Sequence, residues 1–243
     1  MFAARSILLL LVSLLLGPGA AHAGEFSEFR PLGFSADGKV FAFEEFGIQD
    51  GSGFAFANRF FIDTTRDAFL PGSTVRVVIE DESAGIGAAR AEAASKSASR
   101  EAIHRFSDNP GVIAAFSPAS SLDAAAHRLR YTPVSMVPQP FGAYTVRLRE
   151  EPLPASSLCD VFGQTSTGFG LEMTEINGQP AALLLHQDKA VPRSRGCPVG
   201  YRIGGAVTHL SGGVVTQAIL VLVRSHGFEG ENGRWIAITR RFE

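Results

Sequence analysis

Short segments in which apolar and polar residues alternate recur along this chain, and Asp-Gly or Asn-Gly pairs separate some of them. Such pairs favour β-hairpin turns because these residues tolerate the positive backbone φ that the turns require. Three of these pairs, Asp37-Gly38, Asn177-Gly178 and Asn232-Gly233, are expected to form hairpin turns. The pattern predicts a mainly β protein with antiparallel sheets, arranged as a sandwich or a barrel.

A single long helix is expected to interrupt the β pattern. Residues 85–107 are rich in Ala, carry interspersed charges and contain no Pro. Ser83 or Asp81 is expected to cap the start of this helix, and Asn109-Pro110-Gly111 is expected to follow its end. The predicted fold class is therefore α+β with β dominant, in which antiparallel sheets or a sandwich accompany one long Ala-rich helix.

The chain is expected to divide into two parts after a signal segment at 1–23. Strands and the helix form a first part at 24–132, a Pro-rich stretch follows, and 141–243 form an antiparallel β domain. One continuous β-rich domain, or an irregular propeller, is the alternative. Residues 127–132 fit a strand as well as the end of a short helix. Alternation predicts strands at 39–46, 54–63, 74–80, 144–149, 169–174, 181–186, 201–207, 215–224 and 235–240.

The N-terminus has the features of a cleavable secretory signal. Arg5 precedes an apolar run at 7–16, which is followed by Gly17-Pro18-Gly19, and Ala21-His22-Ala23 offers small residues to a signal peptidase. Cleavage is expected before Gly24. A retained anchor is the weaker alternative because a helix that crosses a bilayer needs about 20 apolar residues. The mature protein is expected to be periplasmic or secreted, with no membrane span.

The charge balance excludes one class of partner. The chain has 22 Lys and Arg residues against 24 Asp and Glu residues, a formal net charge of −2. Nucleic-acid binding requires clustered basic residues that displace counterions, and this chain has no such excess. The expected partner is an unknown envelope protein or a small ligand, and not a nucleic acid.

The only two cysteines, Cys159 and Cys197, both lie in the mature part. In an oxidising compartment such a pair is expected to form a disulfide. A reactive thiol pair is the alternative, but the two residues do not form a Cys-x-x-Cys motif.

Several short motifs carry a resemblance to known families. The block Phe-Ser-Ala-Asp-Gly-Lys at 34–39 and its continuation at 41–53 resemble the opening of a family of predicted secreted bacterial proteins with a domain of unknown function. The segments 75–82 and 227–237 are similar to that family too. The resemblance spans nearly the whole mature chain and implies export, but it brings no activity. The Phe-Ser-x-Asp-Gly-Lys start is also similar to a blade repeat of Tol-type periplasmic propellers, although it occurs clearly only once here.

An acidic, Gly-rich hairpin is the first candidate binding site. Its members are carboxylates and neighbouring aromatic residues, namely Glu44, Glu45, Asp50, Asp63, Phe46 and Phe54. Carboxylate and carbonyl oxygens are the ligands that calcium prefers, so a weak calcium site is one interpretation. The spacing matches no known calcium loop. A polar hairpin rim over an aromatic core is the alternative.

No catalytic residue and no cofactor is predicted, because no catalytic motif occurs in the context that it needs. The chain is therefore expected to be an exported envelope protein that acts as a non-enzymatic binding or interaction module. The alternatives are a calcium-binding protein and a hydrolase of a cell-wall polymer. The hydrolase would use Glu44 or Glu45 together with Asp63 as its acid and base.

Overall fold

The structure is a computed structural model that describes residues 24–121, 124–154, 157–160, 163, 165–227 and 230–242. The predicted signal segment 1–23 lies outside the described residues. Within the described part of the chain, no helix is both long enough and apolar enough to cross a bilayer.

The described residues form thirteen strands and two α-helices. The strands are β1 (Glu28–Phe34), β2 (Val40–Ile48), β3 (Ala55–Asp63), β4 (Ala68–Phe69), β5 (Val75–Ile79), β6 (Val112–Phe116), β7 (Arg128–Tyr131), β8 (Tyr144–Leu153), β9 (Ser166–Ile176), β10 (Gln179–Gln187), β11 (Pro198–Ser211), β12 (Val214–His226) and β13 (Glu231–Phe242). The helices are α1 (Ile86–His104) and the four-residue α2 (Ser157–Asp160).

The strands pair into three antiparallel sheets. The helix-side sheet has the order β1-β2-β3-β4, and β5 also pairs with β3. The central sheet has the order β13-β12-β11-β6, and the outer sheet has the order β10-β9-β8-β7. The prediction of a mainly β protein with antiparallel sheets and one long helix is therefore confirmed.

Side-chain packing stacks these elements into four layers. Small residues of α1, such as Ala89 and Ala93, pack on one face of the helix-side sheet. The other face of that sheet contributes Phe41, Phe43 and Phe60 to a core shared with the central sheet. The opposite face of the central sheet packs against the outer sheet. The order is therefore α1, helix-side sheet, central sheet, outer sheet.

The sequence of β12 reflects its central position. Its residues 215–223 are all buried, because the helix-side sheet covers one face of the strand and the outer sheet covers the other. A strand with two covered faces reads as a continuous apolar run and not as an alternation. The strand predicted at 215–224 is present within β12.

Two of the three predicted hairpin turns are present. Asp37-Gly38 joins β1 to β2, and Asn177-Gly178 joins β9 to β10 with φ angles of 52° and 76°. The third prediction is wrong, because Asn232-Gly233 lies inside β13. Gly233 is needed there for close packing: a Cβ atom would come within 2.3 Å of the Phe26 ring.

The predicted long helix is present, but its start differs from the prediction. Gly85 is the N-cap residue and forms no side-chain cap. Asp81 instead accepts hydrogen bonds from the backbone N–H and the hydroxyl of Ser83, so these residues form a separate turn. The helix ends at His104 because Arg105 adopts a left-handed conformation with φ of 51°.

Strand β6 was not predicted, and it links the two predicted parts of the chain. It belongs to the part at 24–132 but pairs with β11, which belongs to the part at 141–243. Residues 127–132, which fitted a strand as well as the end of a short helix, contain β7, and β7 pairs with β8. The division into two parts remains a prediction.

The predicted disulfide between Cys159 and Cys197 is confirmed. Both cysteines are buried, and the bond joins residues 38 positions apart. It ties the segment that precedes β11 to α2, and it thereby holds residues 188–196 at the end of the outer sheet.

Replacement of both cysteines by Ala is expected to lower the free energy of unfolding by about 4 kcal/mol, because the unfolded chain regains loop entropy. Urea unfolding measures this loss. Dithiothreitol should destabilise the native protein by a similar amount and leave the double variant unchanged. Equal stability of the two oxidised proteins would contradict this account.

Candidate functional site

A cavity of about 730 Å³ lies where the three sheets meet. One wall belongs to the helix-side sheet and its β3–β4 turn. A second wall belongs to β12 and β13 of the central sheet, and the third belongs to the end of β10 and the segment that the disulfide holds. Its volume lies within the range of small-molecule sites in proteins.

A polar row crosses the helix-side sheet and faces this cavity. Glu45 on β2 is paired with Asn58 on β3, and Asn58 is paired with Arg76 on β5. All three side chains line the cavity because cross-strand partners share one face of a sheet. Arg76 is exposed and has no ion-pair or hydrogen-bond partner among the described residues.

Glu45 is a buried carboxylate whose partners are neutral. It accepts hydrogen bonds from the Asn58 amide at 3.0 Å, from the Ser27 hydroxyl at 3.3 Å and from the backbone N–H of Trp235 at 2.9 Å. Three donors therefore replace the water that this carboxylate loses on burial. The contact also joins the helix-side sheet to the central sheet.

Trp235 is held in one position beside Glu45. Its indole N–H donates to the Ser27 carbonyl oxygen at 2.8 Å. Its ring lies over Gly204 of β11, where a Cβ atom would come within 2.2 Å of the ring. Trp235 is thus fixed in the core at the edge of the cavity, and Phe60, Ile62 and Phe69 supply apolar surface to the cavity wall.

The wall held by the disulfide is organised by Asp188. This carboxylate accepts hydrogen bonds from Arg195 at 2.6 Å and from the Phe169 backbone N–H at 3.0 Å, and it lies 2.8 Å from the His186 ring. Burial alone would raise the pKa of Asp188, but these bonds and the Arg195 charge hold the pKa below its usual range. His186 and Arg195 are thereby directed to the cavity.

Asp67 lies at the end of the cavity that is opposite to Glu45. It has a left-handed backbone, with φ of 50°, and accepts hydrogen bonds from the Thr239 backbone N–H at 2.7 Å and hydroxyl at 2.8 Å. Burial raises the pKa of Asp67, and the Thr239 bonds and the nearby His186 offset this only in part.

The structure separates the six residues of the predicted hairpin site. Glu45 alone lines the cavity. Glu44 points to the opposite face of the sheet, where it is fully buried and forms salt bridges with Arg59 at 3.0 Å and Arg90 at 2.8 Å. Since adjacent residues of a strand face opposite sides, the two glutamates cannot act on one ligand.

The remaining predicted residues also lie apart. Asp63 is bound to Thr65 and Arg66 at the far end of β3. Asp50 lies at the hairpin end, where its backbone N–H donates to Glu25. The others are aromatic: the Phe46 ring lies under the Arg90 guanidinium, 4.1 Å from its centre, and Phe54 is half-buried after the hairpin turn.

Two alternatives from the sequence depend on these carboxylates meeting. The structure does not bring Asp63 together with Glu44 or with Glu45, so it forms no acid and base pair from these carboxylates. Across the residues that the structure describes, no three His, Cys, Asp or Glu side chains are placed to hold a metal ion. The carboxylates of the acidic hairpin are therefore not brought together as one ligand set.

Sequence reasoning did not find most of the cavity. Asp67, Arg76, His186, Arg195 and Arg234 all line it. Their only local signal was the pair of cysteines, which indicated that the segment before Cys197 is anchored. Asp67 and its partner Thr239 are 172 residues apart, and nothing local marks such a contact.

A family model described as "Predicted secreted protein (DUF2259)" matches residues 42–241. The chain belongs to this family. The DUF2259 protein is thus an exported protein, as the sequence indicated, and every residue that lines the cavity falls within the matched region. No curated protein and no solved structure matches the chain. The similarity to a Tol-type propeller blade remains a resemblance only.

Asp67→Asn is expected to raise the melting temperature of this DUF2259 protein at pH 7. Because the folded-state pKa is raised, the folded protein binds the proton more tightly, and stability falls as pH rises above the unfolded value of 3.8. Asn keeps the acceptor for Thr239 and tolerates the left-handed backbone. Thermal melting at pH 7 and about pH 3 should show the gain only at pH 7. A loss at pH 7 would contradict this.

Asp188→Asn is expected to have the opposite effect. The folded-state pKa is lowered, so Asp188 stabilises the protein above the unfolded value of 3.8, and this contribution is lost as pH falls through the folded pKa. The variant leaves Arg195 without its buried counter-ion, which costs about 3–5 kcal/mol at neutral pH. Urea unfolding should show this loss at pH 7 and a smaller one near pH 3. An equal loss at both would refute the assignment.

Proposed function

We propose that this exported protein is a non-enzymatic binding module that holds a small ligand in the cavity between its sheets. The observation that carries the proposal is an apolar wall, formed by Phe60, Ile62 and Phe69, beside a small set of fixed polar groups. Small-molecule sites have this composition, since apolar walls supply affinity and a few polar groups fix orientation.

The charges around the cavity support binding of a ligand with a polar or anionic group. Arg195 is neutralised by Asp188, and Arg234 is neutralised by Glu25. Arg76 is exposed at the rim and has no such partner among the described residues. A ligand therefore meets the Arg76 guanidinium at the rim and the carboxyl groups of Glu45 and Asp67, which bind neutral donors, next to an apolar surface.

The spacing of the two carboxylates that line the cavity argues against glycoside hydrolysis. Glu45 binds the N–H of Trp235, and Asp67 binds the N–H of Thr239, four residues further along β13. At about 3.4 Å per residue, these two N–H groups are about 14 Å apart. Paired catalytic carboxylates lie about 5–9.5 Å apart.

Trp235 makes the proposal simple to test because it is the only tryptophan of the chain. Anilinonaphthalene sulfonate (ANS) is a suitable probe, since it combines an aromatic body with an anionic group. It should bind the folded protein with one-to-one stoichiometry and quench the Trp235 emission. Absence of saturable binding would count against a ligand cavity.

Ala68→Phe is expected to weaken ANS binding by at least about tenfold, because the larger side chain fills space that Ala68 lines. Ala98→Phe is the matched control, since Ala98 is exposed on α1, away from the cavity. Fluorescence titration measures both affinities, and thermal melting verifies that both variants fold. If the two variants bind ANS equally well, the dye does not occupy the cavity and the proposal fails.

A further inference from the structure

Strand β13 is the edge of the central sheet, and the cavity runs along this edge. Trp235, Ile236, Ala237 and Ile238 all line it. Successive residues of a strand point to opposite faces, so a cavity that contacts four in a row lies beside the strand and not above one face. The backbone of β13 is therefore part of the cavity wall.

The hydrogen bonds of β13 show which backbone groups point to the cavity side. The N–H groups of Gly233, Trp235 and Thr239 donate to Glu25, Glu45 and Asp67, and none of these acceptors belongs to β12. The pairing of β13 with β12 has no bulge, so donors alternate regularly between the two sides. The N–H and C=O of Ala237 consequently point away from β12.

These groups of Ala237 have no partner among the described residues, although Ala237 is only 8% exposed. The Trp235 carbonyl oxygen likewise has no partner among the described residues, and Trp235 is only 3% exposed. Recessed backbone donors and acceptors need a hydrogen-bonding partner. A matching partner presents an acceptor and a donor with the spacing of a peptide backbone.

The chain itself shows how such a partner binds to this edge. Phe26 forms a parallel bridge with Gly233: the Gly233 N–H donates to the Glu25 carbonyl oxygen at 2.7 Å, and the Ser27 N–H donates to the Gly233 carbonyl oxygen at 3.0 Å. The chain then leaves the edge, because Glu28 pairs with β2. Ala237 lies four residues further along the same side of β13.

We propose that the ligand is a short extended peptide that pairs in parallel with Ala237, as residues 25–27 pair with Gly233. This assignment rests on the proposed ligand-binding function and specifies its ligand class. The first peptide residue accepts from the Ala237 N–H, and the third donates to the Ala237 carbonyl oxygen. Glu45 and Asp67, which bind the flanking N–H groups, limit the pairing to a few residues.

Displacement of ANS tests the proposal. The probes are acetylated tripeptide amides. They are divided into sublibraries, and all peptides of one sublibrary share the same central residue. At least one sublibrary should displace ANS and raise the melting temperature. If ANS binds and no sublibrary displaces it, the peptide assignment is overturned and the ligand cavity stands; if ANS does not bind, both are overturned.

Methylation of single amide nitrogens in the best tripeptide tests the pairing itself. A methyl group on the third residue should weaken binding by at least about tenfold, because it removes the bond to the Ala237 carbonyl oxygen. A methyl group on the second residue is the matched control, since that N–H points away from β13. Equal affinities, or the reverse order, would overturn parallel pairing with Ala237.

Ala237→Pro gives an independent measurement on the protein side. Proline removes the outward N–H, and an edge strand tolerates it where that N–H faces away from the neighbouring strand. The variant should still bind ANS and should lose at least about tenfold in tripeptide affinity. Unchanged tripeptide affinity would contradict the proposal. If this variant does not fold, the methylated peptides decide the question alone.

Discussion

The burial of the central sheet on both faces is the constraint on which the rest of the structure depends. Residues 215–223 of β12 are mostly apolar and are covered on both sides, so the strand needs two additional layers to remain out of water. The helix-side sheet and the outer sheet supply them. At the β13 edge these two layers do not meet, and the polar groups of Glu45, Asp67 and Asp188 line or support the space between them. The cavity is thus a consequence of how an antiparallel sheet with two apolar faces is enclosed.

The two adjacent glutamates of β2 show how the same residue type serves different layers. Glu44 faces α1 and neutralises Arg59 and Arg90, so it links the helix to its sheet through a buried ion pair. Glu45 faces the central sheet and binds only neutral donors beside the cavity. Removal of Glu44 leaves two partly buried cations, whereas removal of Glu45 frees an edge N–H of Trp235. One contributes to the core, and the other defines the site.

The fold class, the long helix, most strands and the disulfide could be predicted because their signals are local: alternation, an Ala-rich segment and a cysteine pair. Asn177-Gly178 and Asn232-Gly233 show the limit of such signals. Both have turn chemistry, but Gly233 is required by the Phe26 ring packed against it, a contact 207 residues away in sequence. Strand β6 escaped prediction because its five apolar residues show no alternation, and only the pairing with β11 identifies them as a strand. The cavity could not be predicted for the same reason, since the residues that line it come from all three sheets.

The edge of β13 also raises a problem that every β protein must solve, since unpaired N–H and C=O groups attract strands of other molecules. Here the edge is divided into short pieces. Residues 25–27 cover Gly233, Glu45 covers the N–H of Trp235, and Asp67 covers that of Thr239. A long strand cannot pair past these groups, so aggregation through this edge is blocked. The interval around Ala237 stays accessible from the cavity, and its length admits a segment of a few residues. The same side chains that protect the edge therefore set the size of what can bind there.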